Sequence, residues 1–211
     1  MAHPKDYHDY VFKNGKFLGK FDEMYKYSKD IPWYQDKAPF NWHNQIGFMI
    51  IRDIVREKGK FEKILEMGCG LGYNIMQFKD YGKKLYGCDI SQVAIEKAKI
   101  LHKGIDFFTT DIKNKMKGKY NLIIVAEVMW YVLDGLENIK RNIRLLLAKK
   151  GLFLFRQSFP PLNKSFVGKD IFPNPQSILK FWGDFKIIYY CEIKNFKKNE
   201  FMVWILGEKI P

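Results

Sequence analysis

The stretch Lys63-Ile64-Leu65-Glu66-Met67-Gly68-Cys69-Gly70-Leu71-Gly72 decides how this chain is read. It opens as a short apolar strand, carries an acid at its end, and breaks into three alternating glycines. Glycine permits positive φ, and it lets a second backbone or a ligand approach closely. Alone, such a run is equally a plain strand-to-helix turn. The surroundings extend the pattern. Residues 73–80 read as a helix, Leu85–Cys88 as a second strand ending at Asp89, and Ser91 as the cap of a helix showing Val93, Ala94, Ala98 and Leu101. Ile105–Phe108 leads to Asp111, and Tyr120–Val125 is the most apolar strand. Leu136, Ile139, Ile143, Leu146 and Leu147 mark a helix that stops at Gly151, and Gly151–Phe155 is a fifth strand. After a Pro-containing connection and a short helix near 178–182, strands 185–193 and 201–208 are close enough to form an antiparallel hairpin. Alternating strands and helices predict an α/β fold with helices on both faces. Ligands then bind beyond the carboxyl ends of the strands.

Those ends carry acids in register. Glu66 precedes the glycines, Asp89 lies seventeen residues after Gly72, and Asp111-Ile112 follows the third strand. An acid at the second strand end suits ribose hydroxyls. An acid beside an apolar residue suits the edge and face of adenine. Each could be a helix cap on its own; three at successive strand ends are harder to explain that way. A dinucleotide site fits less well, because Tyr73 follows Gly72 where G-x-G-x-x-G spacing is needed, and about 60 residues precede the motif.

From about residue 60 to 210 the chain resembles the class I S-adenosylmethionine-dependent methyltransferases. The residues that carry the resemblance are ILEMGCGLGYN (64–74), GCDIS (87–91), TTDI (109–112) and YNLIIVAEVMWYV (120–132). It implies a Rossmann-like, seven-stranded, mostly parallel sheet with one antiparallel strand. It also implies S-adenosyl-L-methionine bound by Glu66, Gly68, Cys69, Gly70, Gly72, Asp89, Ile90, Asp111, Ile112, Ala126 and Glu127, with Trp33 capping the cofactor. Asp89 would bind ribose and Asp111 would lie near the adenine amino group. Asp30-Ile31-Pro32-Trp33 is similar to the D-P-W entry region of a subgroup acting on sugars that includes nodulation N-methyltransferases, with an Ile inserted here.

Two parts are expected in one compact unit: 1–58 as an arm and covering helices, and 59–211 as the cofactor-binding domain. Residues 1–20 read as an extended or mobile arm, Phe21–Ser28 as a short helix, and the next stretch as a connector broken by Pro32 and Pro39. A helix follows with Trp42, Ile46, Met49, Ile50 and Ile54 at helical spacing and Asn41 as its cap. Residues 21–45 are expected to form a mobile lid.

Composition narrows the classes. The 211 residues are 47% hydrophobic and 28% charged, enough apolar material to close a core, which excludes a disordered tail, a collagen-like repeat and a disulfide-stapled mini-protein. No apolar run is long enough to span a membrane. The first twenty residues lack the pattern of a secretory signal. Cys69, Cys88 and Cys191 have no metal-binding or disulfide spacing, so a reducing, cytoplasmic setting without a metal is expected. The net charge is +13, yet 31 of the 36 basic residues are Lys, whereas bidentate recognition of bases and phosphates favours Arg.

The chemistry follows from the cofactor's electrophilic methyl, which needs an acceptor atom held in line and a base only for a poor nucleophile. His43, Glu127 and Tyr131 are the catalytic candidates, with Trp33, Trp42, Trp130 and Tyr131 as walls. The acceptor is expected between 31–43, 127–131 and the loop 159–175, where Asn163, Lys164 and Lys169 could meet it. Nucleic-acid methylation is disfavoured: AEVM stands where amino-methylating DNA enzymes carry [DNS]-P-P-[YFW], and no Pro-Cys pair exists. The N-terminal stretch DYVFKNGKFLGKFDEMY resembles methyltransferases of surface-glycan clusters, implying a sugar- or nucleotide-linked precursor of a surface polysaccharide. Capsule phosphoramidate O-methylation is one concrete case. The competing expectations are an RNA, DNA or protein methyltransferase using the basic surface, and a non-catalytic cofactor-binding subunit.

Overall fold

The computed structural model describes Pro4 and residues 6–210. Seven strands form one sheet: β3 (Phe61–Met67), β4 (Gly82–Asp89), β5 (Asp106–Thr109), β6 (Tyr120–Ala126), β7 (Leu147–Phe159), β8 (Lys186–Asn195) and β9 (Glu200–Glu208). Their order is β5-β4-β3-β6-β7-β9-β8. The pairs β3–β4, β3–β6, β4–β5 and β6–β7 are parallel, and β9 runs antiparallel to β7 and β8. The expected mostly parallel seven-stranded sheet with one reversed strand is therefore present. The chain winds outward from β3 through β4 to β5, then crosses back to β6 on the other side of β3, so the strand order reverses between β3 and β6 and a crevice opens at their carboxyl ends.

Helices cover both faces. On one, α3 (Gln45–Lys58), α4 (Tyr73–Met76) and α5 (Gln92–Leu101) bury Phe48, Ile51, Ile75 and Ile95 against Ile64, Leu122 and Leu154. On the other, α6 (Leu136–Leu146) and α7 (Pro175–Phe181) bury Ile139, Ile143 and Ile178 against Ile123, Val125 and Phe153. The apolar runs of β6 and β7 are buried on both sides, as central strands require. Ser91 caps α5, accepting from the Ala94 N–H at 3.1 Å.

Several local expectations are corrected. The helix expected over 73–80 ends at Met76; Gln77, Phe78, Lys79 and Tyr81 continue in tight i→i−3 turns that bury Phe78 beside Phe48. The helix after the connector begins at Gln45, and Asn41 makes no side-chain cap. Its inward face is Gly47, Phe48, Ile51 and Ile54, while Trp42 and Met49 face outward. Gly47 sets that rotation, since a Cβ there would lie 2.2 Å from the Trp204 ring. On α5, Ile95 takes an inward place and Leu101 is exposed. The fifth strand starts at Leu147, directly after α6, and bulges between Leu147 and Leu152 before joining β6 in register.

The N-terminal stretch is the largest correction. In place of an extended arm it forms α1 (His8–Val11) and a hairpin of β1 (Phe12–Lys13) and β2 (Lys16–Phe17), followed by the expected short helix, α2 (Phe21–Tyr27). Tyr10, Val11, Met24 and Tyr25 are buried with Leu71 and Ala94. Burial of a side chain such as Val11 or Met24 contributes about 1.5–3 kcal/mol. Asp22 adds polar anchorage, accepting from Ser91 Oγ at 2.6 Å and from the Val93 N–H at 3.1 Å.

Candidate functional site

The three motif glycines all adopt positive φ: 76° at Gly68, 52° at Gly70 and 82° at Gly72. Each is also crowded. A Cβ on Gly68 would meet Val128 at 2.5 Å, one on Gly70 would meet Gln35 and Tyr25 at 2.6 Å, and one on Gly72 would meet Phe107 at 2.7 Å. Glycine is therefore required at this turn on both counts. Asp89 holds it: Oδ2 accepts from the Gly70 N–H and Oδ1 from the Ser91 N–H, both at 2.9 Å. Burial raises the Asp89 pKa, and these N–H donors oppose the rise.

Glu66 is 2% exposed at the end of β3. Oε1 accepts from Asn74 Nδ2, whereas Oε2 is buried without a partner. Burial lifts its pKa to about 8, against the opposing influence of Asn74 and of the Arg156 charge.

A cavity of about 510 Å³ runs along these strand ends, within the usual range for small-molecule sites. Asp89, Ile90, Asp111 and Ile112 line one end, and Glu66, Gly68 and Cys69 the middle. Ala126, Glu127, Tyr131, His43 and Arg156 line the other end. Of the cofactor-binding residues expected from sequence, Trp33 joins them; Gly70 and Gly72 shape the turn without lining the cavity. Ile90 is half exposed, presenting an apolar face beside Asp89. Asp111 accepts from the Lys113 N–H at 2.9 Å.

The catalytic candidates differ in character. Glu127 has φ 58°. Its Oε2 accepts from the Ser158 N–H and Gln157 Nε2 at 3.0 Å, and Oε1 from Ser158 Oγ at 2.8 Å, with Arg156 Nε 3.3 Å from Oε1. These bonds tie the end of β6 to the end of β7 through one carboxylate. His43 has its pKa lowered, by burial first and then by the Arg156 charge, so its imidazole is neutral near pH 7. Tyr131 packs among Phe12, Phe21 and Trp33, and burial followed by the Glu127 charge pushes its pKa up.

The expected acceptor walls are partly corrected. Trp42 is 70% exposed and does not line the cavity. Among the described residues, none from 159–175 lines it either. Lys169 is occupied by the carbonyls of Leu162 and Lys164, and Asn163 accepts from Asn199. Trp130 does line it, while its indole donates to the Ser158 carbonyl at 2.8 Å and packs on Phe159, Phe166 and Phe172. The place given to the loop is taken by the N-terminal stretch, through Tyr7, Phe17 and Phe21.

Sequence reasoning also missed Gln35. Its Oε1 accepts from the Leu71 N–H and its Nε2 donates to the Tyr25 hydroxyl, both at 2.8 Å, joining the 31–37 segment to the glycine turn. Trp33 and Tyr34 both have positive φ, at 53° and 49°, which turns the chain so that Gln35 faces the turn. Arg156 carried a visible signal, a charge inside the apolar run FLFRQSF. Within the segment 21–45, expected to be a mobile lid, α2 packs on the body of the protein: Met24 is fully buried and Tyr25 nearly so.

This sheet order, with a glycine turn after the first parallel strand and acids at the next two strand ends, defines the class I S-adenosylmethionine-dependent methyltransferases. The chain belongs to the nodulation protein S (NodS) family, whose model matches residues 24–166. It is similar to the N-methyltransferase NodS from Bradyrhizobium japonicum WM9, solved in complex with S-adenosyl-L-homocysteine: TM-score 0.70, 17% identity, 90% of this chain and 99% of that one. Magnesium protoporphyrin IX methyltransferase (ChlM) from Synechocystis PCC 6803, with bound S-adenosylmethionine, gives TM-score 0.61 at 17% identity over the whole of both chains. Malonyl-[acyl-carrier protein] O-methyltransferase of Bacillus anthracis is 25% identical over 63% of this chain. The chain spans about half of that enzyme's length, 54%. Among the described residues no helix is long and apolar enough to cross a membrane.

Proposed function

We propose that the protein transfers a methyl group from S-adenosylmethionine to a small acceptor. The observation that carries this reading is the continuous cavity joining Asp89 and Asp111 at one end to His43 and Glu127 at the other, across the glycine turn.

The residues fit the cofactor. Each motif glycine stands where a Cβ would collide, and Glu66 offers a buried carboxylate oxygen with no protein partner. Asp89 would hold the ribose, Asp111 the adenine edge, and Ile90 and Ile112 its faces. Glu66, Gly68, Cys69, Ala126 and Glu127 would surround the remainder, with Trp33 above. When bound, the cofactor supplies a methyl group made electrophilic by its sulfonium. The chain's own contribution is to exclude water with its aromatic cover and to fix the acceptor atom in line. His43, neutral beside the cavity, can accept a proton from a hydroxyl or ammonium group. Residues 1–58 act as the cover and 59–211 as the cofactor-binding unit.

We place the acceptor among sugar- or nucleotide-linked precursors of a surface polysaccharide, modified in the cytoplasm, with O-methylation of a capsule phosphoramidate as the concrete case. The +13 charge supports an anionic acceptor, and the match to the NodS family supports a small one. Incubation with methyl-labelled S-adenosylmethionine and a panel of sugar nucleotides, phosphoramidates, nucleic acids and proteins tests the reading. Label on a small acceptor is expected; label on RNA, DNA or protein alone overturns it.

A further inference from the structure

Arg156 is 6% exposed, yet its hydrogen-bonding capacity is largely unused. Its Nε lies 3.3 Å from Glu127 Oε1 without the alignment of a hydrogen bond, and neither Nε nor Nη1 has a hydrogen-bond partner. A guanidinium carries five N–H donors, and one held away from water is costly when they stay unmatched. Glu127 does not resolve the mismatch. Both of its oxygens already accept from Ser158 and Gln157, so it neither needs nor fully satisfies the arginine. The guanidinium carbon lies over the Trp204 ring, 5.4 Å from its centre, a contact that takes up none of the N–H donors.

The position of Arg156 says what the edge is for. It lines the cavity beside His43, Asn44 and Ser158. In the sheet it sits opposite Ala126 of β6 on one side and Trp204 of β9 on the other. It is therefore two strands beyond β3, about 10 Å from the glycine turn at ordinary strand spacing. Asp89 and Asp111, the adenosine end, lie on the far side of β3. Asn44, 4% exposed, adds an unpartnered Oδ1 at the same end.

We propose that Arg156 is an acceptor-binding residue that grips an oxyanion, phosphate or carboxylate, on the molecule to be methylated. The proposal rests on the methyltransferase reading and deepens it. A guanidinium matches either oxyanion through paired N–H···O bonds. An anionic group seated there would also accept the hydrogen bonds that Glu127 leaves unmade. The acceptor is thus selected by charge at the end of β7, while its reacting atom is turned back toward the end of β6.

The test uses the full chain saturated with S-adenosylhomocysteine. Inorganic phosphate and, separately, acetate are titrated at constant ionic strength and followed calorimetrically, in the wild type, Arg156→Gln and Arg156→Lys. One of the two anions should bind the wild type, which identifies the group as phosphate-like or carboxylate-like. Arg156→Gln should weaken that binding by about tenfold or more. Arg156→Lys keeps the charge beside Glu127 but loses the planar fork, and should fall in between; it serves as the readout if the Gln variant does not fold. S-adenosylhomocysteine affinity should fall far less than anion affinity in both variants, because Arg156 bears on the cofactor only through its neighbours Glu127 and Glu66. Equal anion binding in wild type and variants, or no anion binding at all, overturns the proposal. So does a parallel loss of S-adenosylhomocysteine affinity, which would assign Arg156 to the cofactor's own carboxylate. Failure of the wild type to bind S-adenosylhomocysteine strikes the methyltransferase reading instead, and the same anion titrations on the protein alone still decide whether Arg156 grips an oxyanion.

Discussion

The Gly70 N–H donates to Asp89 Oδ2 at 2.9 Å, so the acid that ends β4 also shapes the turn that follows β3. Two neighbouring parallel strands are thereby locked at their carboxyl ends before any ligand is considered. The same carboxylate receives the Ser91 N–H at the start of α5.

Asp89→Ala should therefore act twice. Two buried N–H groups lose their acceptor, at about 1–3 kcal/mol of stability each. Cofactor affinity should fall by about 1–3 kcal/mol as the charge-assisted bonds to ribose are lost. Thermal melts and calorimetry with S-adenosylhomocysteine report the two effects separately. Unchanged affinity in a folded variant would remove Asp89 from the ribose site.

Gln35→Ala should leave the Leu71 N–H and the Tyr25 hydroxyl without their partner. A cost of about 1–3 kcal/mol follows if both stay buried. Hydrogen exchange should quicken at Leu71 and through 31–37 while α2 stays protected, because Asp22 and the buried Met24 hold that helix independently. Exchange that quickens equally in α2 would show that the cover moves as one body.

Glu66 gives a pH dependence of defined sign. Its folded pKa, about 8, lies above the usual carboxylate value of 4.5, so the folded state binds the extra proton between those limits. Unfolding releases it, and stability from this group falls as pH rises from about 4.5 to 8. Glu66→Gln should flatten that slope in denaturant titrations taken across the window. An unchanged slope would mean that Glu66 is ionised when folded.

His43→Gln and Glu127→Gln should separate proton transfer from positioning. An anionic acceptor oxygen needs no base, so His43→Gln should lower kcat less than about tenfold, against the 10²–10⁴ expected of a general base. Glu127→Gln should lower stability, because Gln157, Ser158 and Arg156 all converge on its carboxylate. A large fall in kcat for His43→Gln with cofactor affinity kept would move the acceptor to a hydroxyl or an ammonium group.

What was legible in the sequence was local. Glu66, the glycines, Asp89 and Asp111 each sit within a few residues of the strand that carries them, and periodicity and turn chemistry register at that range. Of the cover ahead of α3 only α2 was legible, because the order of the rest comes from distant partners. Asp22 bonds Ser91 and Val93, Gln35 bonds Leu71, and the Trp204 indole bonds the His43 carbonyl at 3.0 Å. Its pieces are also short: four residues in α1, two in each hairpin strand, and three-residue turns at Pro32–Tyr34, Ala38–Phe40 and Trp42–Asn44. No hydrophobic period can be read over such lengths. Trp42 was misread for that reason: it lies in a 3₁₀ turn ahead of α3, out of phase with the helix it seemed to begin.

The contact between Trp204 and His43 spans 161 residues and has a consequence for how the protein is made. Trp204 belongs to β9, which slots between β7 and β8, and it also backs the Arg156 guanidinium. A chain leaving the ribosome can lay down β3 to β6 and the glycine turn early. The wall behind His43 and Arg156 waits until residue 204 has emerged and β9 has been inserted. The cavity end lined by His43 and Arg156 is therefore completed only with the last strand of the sheet to be synthesised.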